Sequence, residues 1–320
     1  MNDLLSIEFP YYNLSTKFDK SNIVRTINNF KPIIYNYKPS KFKKLFLHKY
    51  ENNYFFIYDD WNVTQNINNI TNFFSEKVRI KCQFGDKLTP LEYWNTNKKK
   101  ILENVDKLSI YNIREYIFHN TKLCSNFRIS LGLAILNYFK PKKWLDISAG
   151  WGDRLLTAIF YKVDLYVATD PNLELQSCYN EIIDTFVFPE NKKNFIIIPT
   201  GFEIAKLPDE KFDIVFTSPP FFDLEKYSEF KDDSLTKYNN EHKWCRDFLL
   251  KSLVKSYNYL RKNGHIILYL SGSKLVMSTM HKLDKIMKYK GVIYFYDDKP
   301  RAMYVWEKIK NNKIRIKRNK

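Results

Sequence analysis

Cysteine is scarce in this sequence, and long apolar runs are absent. The four cysteines stand far apart, form no CxxC pair and have no histidine at metal-ligand spacing: Cys82, Cys124, Cys178 and Cys245. A zinc site or a disulfide framework is therefore not expected, and a reducing compartment is the natural interpretation. No apolar run approaches the roughly 20 residues that span a bilayer, and the N-terminus lacks the pattern of a signal peptide. We expect a soluble intracellular protein, with the cytoplasm favoured, no membrane partner and no metal.

Acidic residues are outnumbered by basic ones. Lys and Arg total 52 against 35 Asp and Glu, which gives a formal net charge of +17 and a pI near 9.4. An excess of this size favours a polyanionic partner such as nucleic acid. The chain is also rich in Lys, Asn, Ile, Tyr and Phe, the residues of A/T-rich codons, so genome composition accounts for part of the excess.

The pattern of the chain changes at about residue 120. From 121 to 308, short apolar segments alternate with helical stretches, which predicts an α/β fold with a mainly parallel sheet of about seven strands. The predicted strands are Trp144–Ser148, Leu165–Asp170, Asn194–Pro199, Phe212–Ser218, Gly264–Leu270, Gly291–Tyr296 and Ala302–Lys308.

Residues 1–120 lack this alternation and are predicted to form a mostly helical accessory region. Basic stretches at 41–49 and 98–100, interleaved with aromatic residues, suit contacts with a nucleic-acid backbone and its bases. We therefore expect substrate recognition in residues 1–120, together with the 222–242 loop. Residues 309–320 contain no acid and are predicted to form a basic tail that follows phosphates.

A glycine pair follows the first predicted strand. Asp146, Gly150 and Gly152 fit D-x-x-x-G-x-G, in which glycines allow close approach of the backbone to a ligand at the start of a helix. Alone, this pattern also suits an ordinary strand-to-helix turn. Asp170 ends the next strand, where an acidic side chain can accept hydrogen bonds from both hydroxyls of a ribose. The Asp170-Pro171-Asn172 sequence alone also suits a helix cap, but its spacing from Asp146 fits a βαβ unit and favours the ribose contact.

The segment Ser218-Pro219-Pro220-Phe221 is harder to explain as a structural loop. Two prolines directly after an apolar strand remove two backbone donors and leave carbonyl groups free to face a ligand. The Ser218 hydroxyl and the Pro219 carbonyl can both accept hydrogen bonds from an amino group, and Phe221 offers a ring for base stacking.

These two motifs, in this order, resemble the SAM-dependent amino-methyltransferases that modify exocyclic nitrogens of nucleic-acid bases. The strings around Asp146–Arg154 and Phe216–Tyr227 are similar to DNA methylases of phages and large DNA viruses. The resemblance covers about residues 122–308 and implies a Rossmann-like methyltransferase fold with S-adenosyl-L-methionine (SAM) as cofactor. It implies that Ser218, Pro219, Pro220 and Phe221 hold the target base and act in catalysis. It also implies the following cofactor-binding residues: Asp146, Ser148, Gly150 and Gly152 at the methionine end, Asp170 at the ribose, Phe202 at the adenine, and Asn126 at the position where related folds contact the cofactor's carboxylate.

The resemblance implies methyl transfer to a base in DNA, which is favoured over RNA. Serine in the first tetrapeptide position is typical of cytosine-N4 enzymes, whereas the order of the motifs is typical of adenine-N6 enzymes, so both bases stay open. Phenylalanine in place of tyrosine preserves stacking. The alternatives are an RNA adenine-N6 methyltransferase and a methyltransferase-like nucleic-acid-binding subunit without catalysis. A cytosine-C5 mechanism is disfavoured because none of the cysteines follows a proline.

Overall fold

A computed structural model describes residues 2–31, 33–36, 53–57, 67–222, 225–227, 233–295 and 302–314. Several predicted features lie outside these residues: the basic stretch 41–49, residues 223–224 and 228–232 of the 222–242 loop, Tyr296 at the end of a predicted strand, and residues 315–320 of the tail. Among the helices of the described residues, none has both the length and the apolar content needed to cross a bilayer.

The described residues form twelve α-helices, a π-helix and eleven strands. The α-helices are α1 (Asn2–Ser6), α2 (Lys20–Asn29), α3 (Asn72–Arg79), α4 (Pro90–Asn104), α5 (Ile110–Thr121), α6 (Ile129–Phe139), α7 (Asp153–Tyr161), α8 (Leu175–Phe186), α9 (Ser234–Lys237), α10 (Glu241–Lys243), α11 (Lys251–Tyr259) and α12 (Lys274–Met280). A π-helix, Trp244–Leu250, connects α10 with α11. The strands are β1 (Ile33–Asn36), β2 (Asn53–Ile57), β3 (Gln83–Phe84), β4 (Lys143–Asp146), β5 (Leu165–Thr169), β6 (Phe195–Ile198), β7 (Phe212–Thr217), β8 (Glu225–Lys226), β9 (Leu260–Tyr269), β10 (Lys288–Phe295) and β11 (Ala302–Glu307).

Nine of these strands form one sheet in the order β1-β2-β10-β11-β9-β7-β4-β5-β6. The pairs from β6 through β9 are parallel, and β11 lies antiparallel between β9 and β10. The seven predicted strands are all present, so the predicted α/β fold with a Rossmann-like sheet is confirmed. The two further strands, β1 and β2, come from the N-terminal region and extend the sheet at β10.

Helices cover both faces of the sheet. Neighbouring side chains of a strand point to opposite faces, so a strand that is apolar throughout packs against both helical layers. Trp144 of β4 packs into the layer that contains α6, α7 and α8. The next residue, Leu145, packs into the layer that contains the π-helix, α11 and α12. Both side chains are fully buried, as expected for a central strand of a parallel sheet.

Two elements of the N-terminal region, α3 and β3, contact the rest of the chain. Helices α4 and α5 form their own apolar cluster around Trp94, Ile101 and Ile113, whereas Val78 of α3 packs into the main core beside α6–α8. The short strand β3 pairs with β8, which follows the Ser218–Phe221 segment. Division of the chain near residue 120 stays a prediction.

The strand order reverses between β4 and β7, since β5 and β6 lie on one side of β4 and β7 and β9 on the other. Ligands of open α/β sheets bind at such a reversal, outside the carboxyl ends of the strands. The glycine turn follows β4 and the Ser218–Phe221 segment follows β7, so the fold places both motifs at that point.

Candidate active site

A cavity of about 710 Å³ opens at the carboxyl ends of β4 and β7. Its volume lies within the range of about 300–1,000 Å³ that is common for small-molecule sites. Eight of the eleven predicted site residues line it: Asn126, Ser148, Gly150, Asp170, Phe202, Ser218, Pro220 and Phe221. The other three, Asp146, Gly152 and Pro219, are not among the lining residues.

The turn after β4 requires glycine at two positions. Gly150 and Gly152 have φ angles of 63° and 97°, which L-residues rarely adopt. A Cβ atom at Gly152 would also lie 2.7 Å from Cδ1 of Ile182 in α8. The glycine pair therefore allows both the turn and the close packing of α8 behind it.

Asp146 supports this turn from within the core. Its fully buried carboxylate accepts hydrogen bonds from Arg154 Nε and Tyr166 Oη, both at 2.8 Å. Arg154 also donates to the carbonyl oxygen of Ser148. Asp146 thus fixes the backbone that lines the cavity, and its direct contact with a cofactor stays a prediction.

A hydrogen bond joins the two predicted motifs. Ser148 Oγ donates to the carbonyl oxygen of Ser218 at 2.9 Å. Beyond Ser218, the two prolines carry no N–H group, and the half-buried Phe221 ring meets the Tyr269 ring edge-on, with centroids 6.0 Å apart. The backbone of one motif therefore lies against the side chain of the other at the reversal of strand order.

Asp170 lies at the end of β5 and turns toward the glycine turn. Its carboxylate accepts hydrogen bonds from the backbone N–H groups of Gly150 at 2.9 Å and Asn172 at 3.0 Å. Helix α8 begins only at Leu175, so Asp170 is not its N-cap. Burial raises the pKa of Asp170 to about 6, opposed by the two N–H groups. An ionised carboxylate has about four acceptor sites, which leaves capacity for ligand hydroxyl groups.

Phe202 and its neighbour Glu203 form another part of the wall. Phe202 is buried, and its carbonyl oxygen accepts a hydrogen bond from Lys255 Nζ at 2.7 Å. Glu203 Oε1 accepts hydrogen bonds from Lys237 Nζ and Tyr238 Oη, both at 2.9 Å. Its other oxygen, Oε2, is buried and has no donor among the described residues.

The cavity is acidic although the whole chain is basic. Among the described residues, its lining contains five carboxylates and three basic side chains: Asp153, Asp170, Glu203, Glu225 and Asp233 against Lys122, Arg128 and Arg154. Of these acids, only Asp170 was among the predicted site residues. Asp153 and Glu203 directly follow predicted site residues, which was an available signal. Glu225 lies in β8, in the segment after the tetrapeptide whose acidic groups the sequence suggested could close over the pocket, and Asp233 directly precedes α9.

Comparisons with known proteins add similarities of fold. No protein-family model and no curated protein matches the chain. The chain is similar to the solved structure of a methyltransferase from Pyrococcus furiosus, with 18% identity, coverage of 57% of this chain and 84% of that chain, and a TM-score of 0.41. It is also similar to TrmN from Thermus thermophilus (13%, 57% and 49%, TM-score 0.40) and to a putative RNA methyltransferase from Pyrococcus horikoshii (16%, 58% and 83%, TM-score 0.37). At these identities and TM-scores, the similarities do not identify a substrate for this chain.

Proposed function

We propose that this protein transfers a methyl group from SAM to the exocyclic amino group of a nucleic-acid base, with DNA as the favoured substrate. The observation that carries the proposal is the hydrogen bond from Ser148 to Ser218. It brings the predicted cofactor turn and the predicted base-binding segment together in one cavity.

The residues of the cavity fit SAM. The acidic lining suits a ligand with a sulfonium and an ammonium group, because carboxylates favour nearby cations. Asp170 retains acceptor capacity for the ribose hydroxyl groups, and the glycine turn allows close approach of the backbone. When bound, the cofactor would supply an electrophilic methyl group and leave as S-adenosylhomocysteine, and the methylated amine would lose one proton to solvent.

The protein's contribution would be to position the amine. The Ser218 hydroxyl and the Pro219 carbonyl would accept hydrogen bonds from the amino group and direct its lone pair toward the methyl group. Phe221 would stack on the base. In duplex DNA the base must first leave the helix, at a cost of a few kcal/mol, which stacking in the cavity helps to offset.

The test is incubation of the purified protein with isotope-labelled SAM and either DNA or total RNA, followed by mass spectrometry of the nucleosides. We expect N4-methylcytosine or N6-methyladenine from DNA, and loss of both in the Ser218→Ala and Asp146→Ala variants. Label in RNA alone would favour the RNA adenine-N6 alternative. Absence of label from both polymers, with SAM still bound, would favour a non-catalytic binding subunit.

A further inference from the structure

Thr71 connects the N-terminal region to the cavity. It lies directly before α3, and its side chain is fully buried. Its hydroxyl group donates to Asp153 Oδ1 at 2.7 Å and accepts a hydrogen bond from Asn126 Nδ2 at 2.8 Å. Asn126 and Asp153 both line the cavity, whereas Thr71 does not. Thr71 therefore holds two cavity residues from behind.

The direction of these hydrogen bonds follows from the neighbouring groups. Asn126 Nδ2 also lies 3.4 Å from Oδ1 of Asn72, an atom that already accepts a hydrogen bond from Arg79, so the Asn126 atom on that side is the donor. Burial raises the pKa of Asp153 to about 6, and the Thr71 hydrogen bond is the main opposing influence. An ionised carboxylate only accepts, and a hydroxyl group has a single hydrogen, which Thr71 gives to Asp153. The Thr71 oxygen can then only accept, so the Asn126 atom facing it is the amide nitrogen.

The amide oxygen of Asn126 is left facing away from Thr71. Asn126 Oδ1 is buried, and no described residue donates to it. A buried acceptor without a donor costs about 1–3 kcal/mol. A donor from a ligand in the cavity would remove this cost. The Thr71 hydroxyl group contacts both the Asn126 amide and the Asp153 carboxylate, so these two side chains lie close together. A donor that is also a cation therefore suits this position best, because a carboxylate favours a nearby cation.

We propose that Thr71 is a positioning residue, which orients Asn126 so that its amide oxygen, together with the Asp153 carboxylate, binds the ammonium group of the cofactor's methionine portion. The inference rests on the proposed function and deepens it. The ammonium group is the donor at that end of SAM, whereas the adjacent carboxylate group only accepts. Asn126 would therefore contact the ammonium group and not the carboxylate that the sequence suggested.

A second contact fixes α3 against the glycine turn. Ser75 Oγ lies within hydrogen-bond distance of two backbone oxygens, that of Trp151 at 2.8 Å and that of Thr71 at 3.2 Å. Ser75 is fully buried, like Thr71. Thr71 and Ser75 lie one helical turn apart, and both hold the start of α3 against the segment after β4. The N-terminal region therefore forms part of the proposed cofactor site.

Calorimetric titration with two ligands tests the inference. S-adenosylhomocysteine contains the ammonium group, whereas 5′-methylthioadenosine lacks the whole amino-acid portion. Thr71→Val keeps the shape of the side chain and removes the hydroxyl group. We expect it to weaken S-adenosylhomocysteine at least about tenfold, through loss of a hydrogen bond to a charged group. Binding of 5′-methylthioadenosine should stay within about twofold, and Thr71→Ser should bind both ligands like the wild type.

Thr157→Val provides the matched control. Thr157 is equally buried and lies in α7, but its hydroxyl group donates to the backbone oxygen of Asp153 and not to its carboxylate. This variant should bind both ligands normally. An equal loss of both ligands in Thr71→Val, or no loss of either, would overturn the inference while leaving the proposed function intact. Failure of the wild-type protein to bind S-adenosylhomocysteine would overturn the proposed function and the inference with it.

Discussion

The carboxylate of Asp170 accepts a hydrogen bond of 2.9 Å from the backbone N–H group of Gly150. The bond joins the loops that follow β5 and β4, two neighbouring parallel strands. It holds an ionisable group that is only 7% exposed at the mouth of the glycine turn. A ligand that replaces solvent there would meet a carboxylate already oriented by the backbone.

Asp170→Asn should change how stability depends on pH. Burial raises the pKa of Asp170 from 3.8 to about 6 in the folded protein. Its contribution to stability is therefore complete below about pH 4 and is lost as pH rises through about 6. We expect the free energy of unfolding of the wild type, relative to Asp170→Asn, to fall by about 3 kcal/mol over that range. Urea denaturation at a series of pH values measures this difference.

The control for this experiment is Asp164→Asn, which changes an exposed aspartate in the turn before β5. Measured over the same pH series, it is the reference for an aspartate that the fold does not bury. A flat difference for Asp170→Asn would show that its carboxylate is solvated in the folded protein. Asp170→Asn should also lose affinity for S-adenosylhomocysteine, because an amide presents one acceptor atom where the carboxylate presents two.

Gly152→Ala should destabilise the protein more than Gly85→Ala. Both glycines have positive φ angles, 97° and 55°. A Cβ atom at Gly85 would have no atom within 4 Å, whereas at Gly152 it would lie 2.7 Å from the Ile182 side chain. We expect losses of about 1 kcal/mol for Gly85→Ala and about 3 kcal/mol for Gly152→Ala, since only the second adds overpacking to backbone strain. Equal losses in thermal or urea unfolding would contradict this packing argument.

Much of the fold was predictable because the decisive signals are local. Strands such as β5 and β7 are short apolar runs. The turn after β4 has positive φ angles, which favour glycine, so the glycine pair in the sequence indicates it. The pairing of β2 with β10 was not predictable, because its partner lies more than 200 positions away. Asn53–Ile57 contains strand-forming residues, but such a run does not indicate which sheet edge it joins.

The site residues show the same difference between local signals and tertiary contacts. Asp170 was predicted because it ends a recognisable strand at a spacing that fits a cofactor, and Ser218 because it begins a Pro-Pro-aromatic segment directly after another strand. Thr71 gave no signal, since a threonine in an Asn-rich stretch gains its meaning only when the fold brings Asp153 and Asn126 beside it. Residues that orient others through tertiary contacts leave no local pattern.

Lys237→Met should be more costly than Lys192→Met. Lys237 Nζ lies 2.9 Å from the carboxylate of Glu203, whose side chain is 2% exposed. Lys192 pairs with Asp184, whose side chain is 64% exposed. Loss of Lys237 leaves a buried carboxylate with less compensation, so we expect a destabilisation of about 2 kcal/mol. The surface pair should contribute about 0–1 kcal/mol. Similar urea midpoints for the two variants would indicate that water replaces Lys237 at no cost.

Phe221→Ala and Phe222→Ala form a neighbouring pair that separates base stacking from packing. Phe221 lines the cavity, whereas Phe222 does not line it and packs against Trp244, with ring centroids 5.7 Å apart. Stacking of a base on an aromatic ring contributes about 1–3 kcal/mol. We expect Phe221→Ala to reduce kcat/KM for methyl transfer by about tenfold to a hundredfold with affinity for S-adenosylhomocysteine unchanged. Phe222→Ala should instead lower the unfolding midpoint while leaving kcat/KM within about threefold, because its ring contacts the helical layer and not the substrate.

Phe221→Tyr should retain activity, since it keeps the ring. If Phe222→Ala reduced methyl transfer as much as Phe221→Ala, the segment would act through its packing, and stacking on Phe221 would not be part of the reaction.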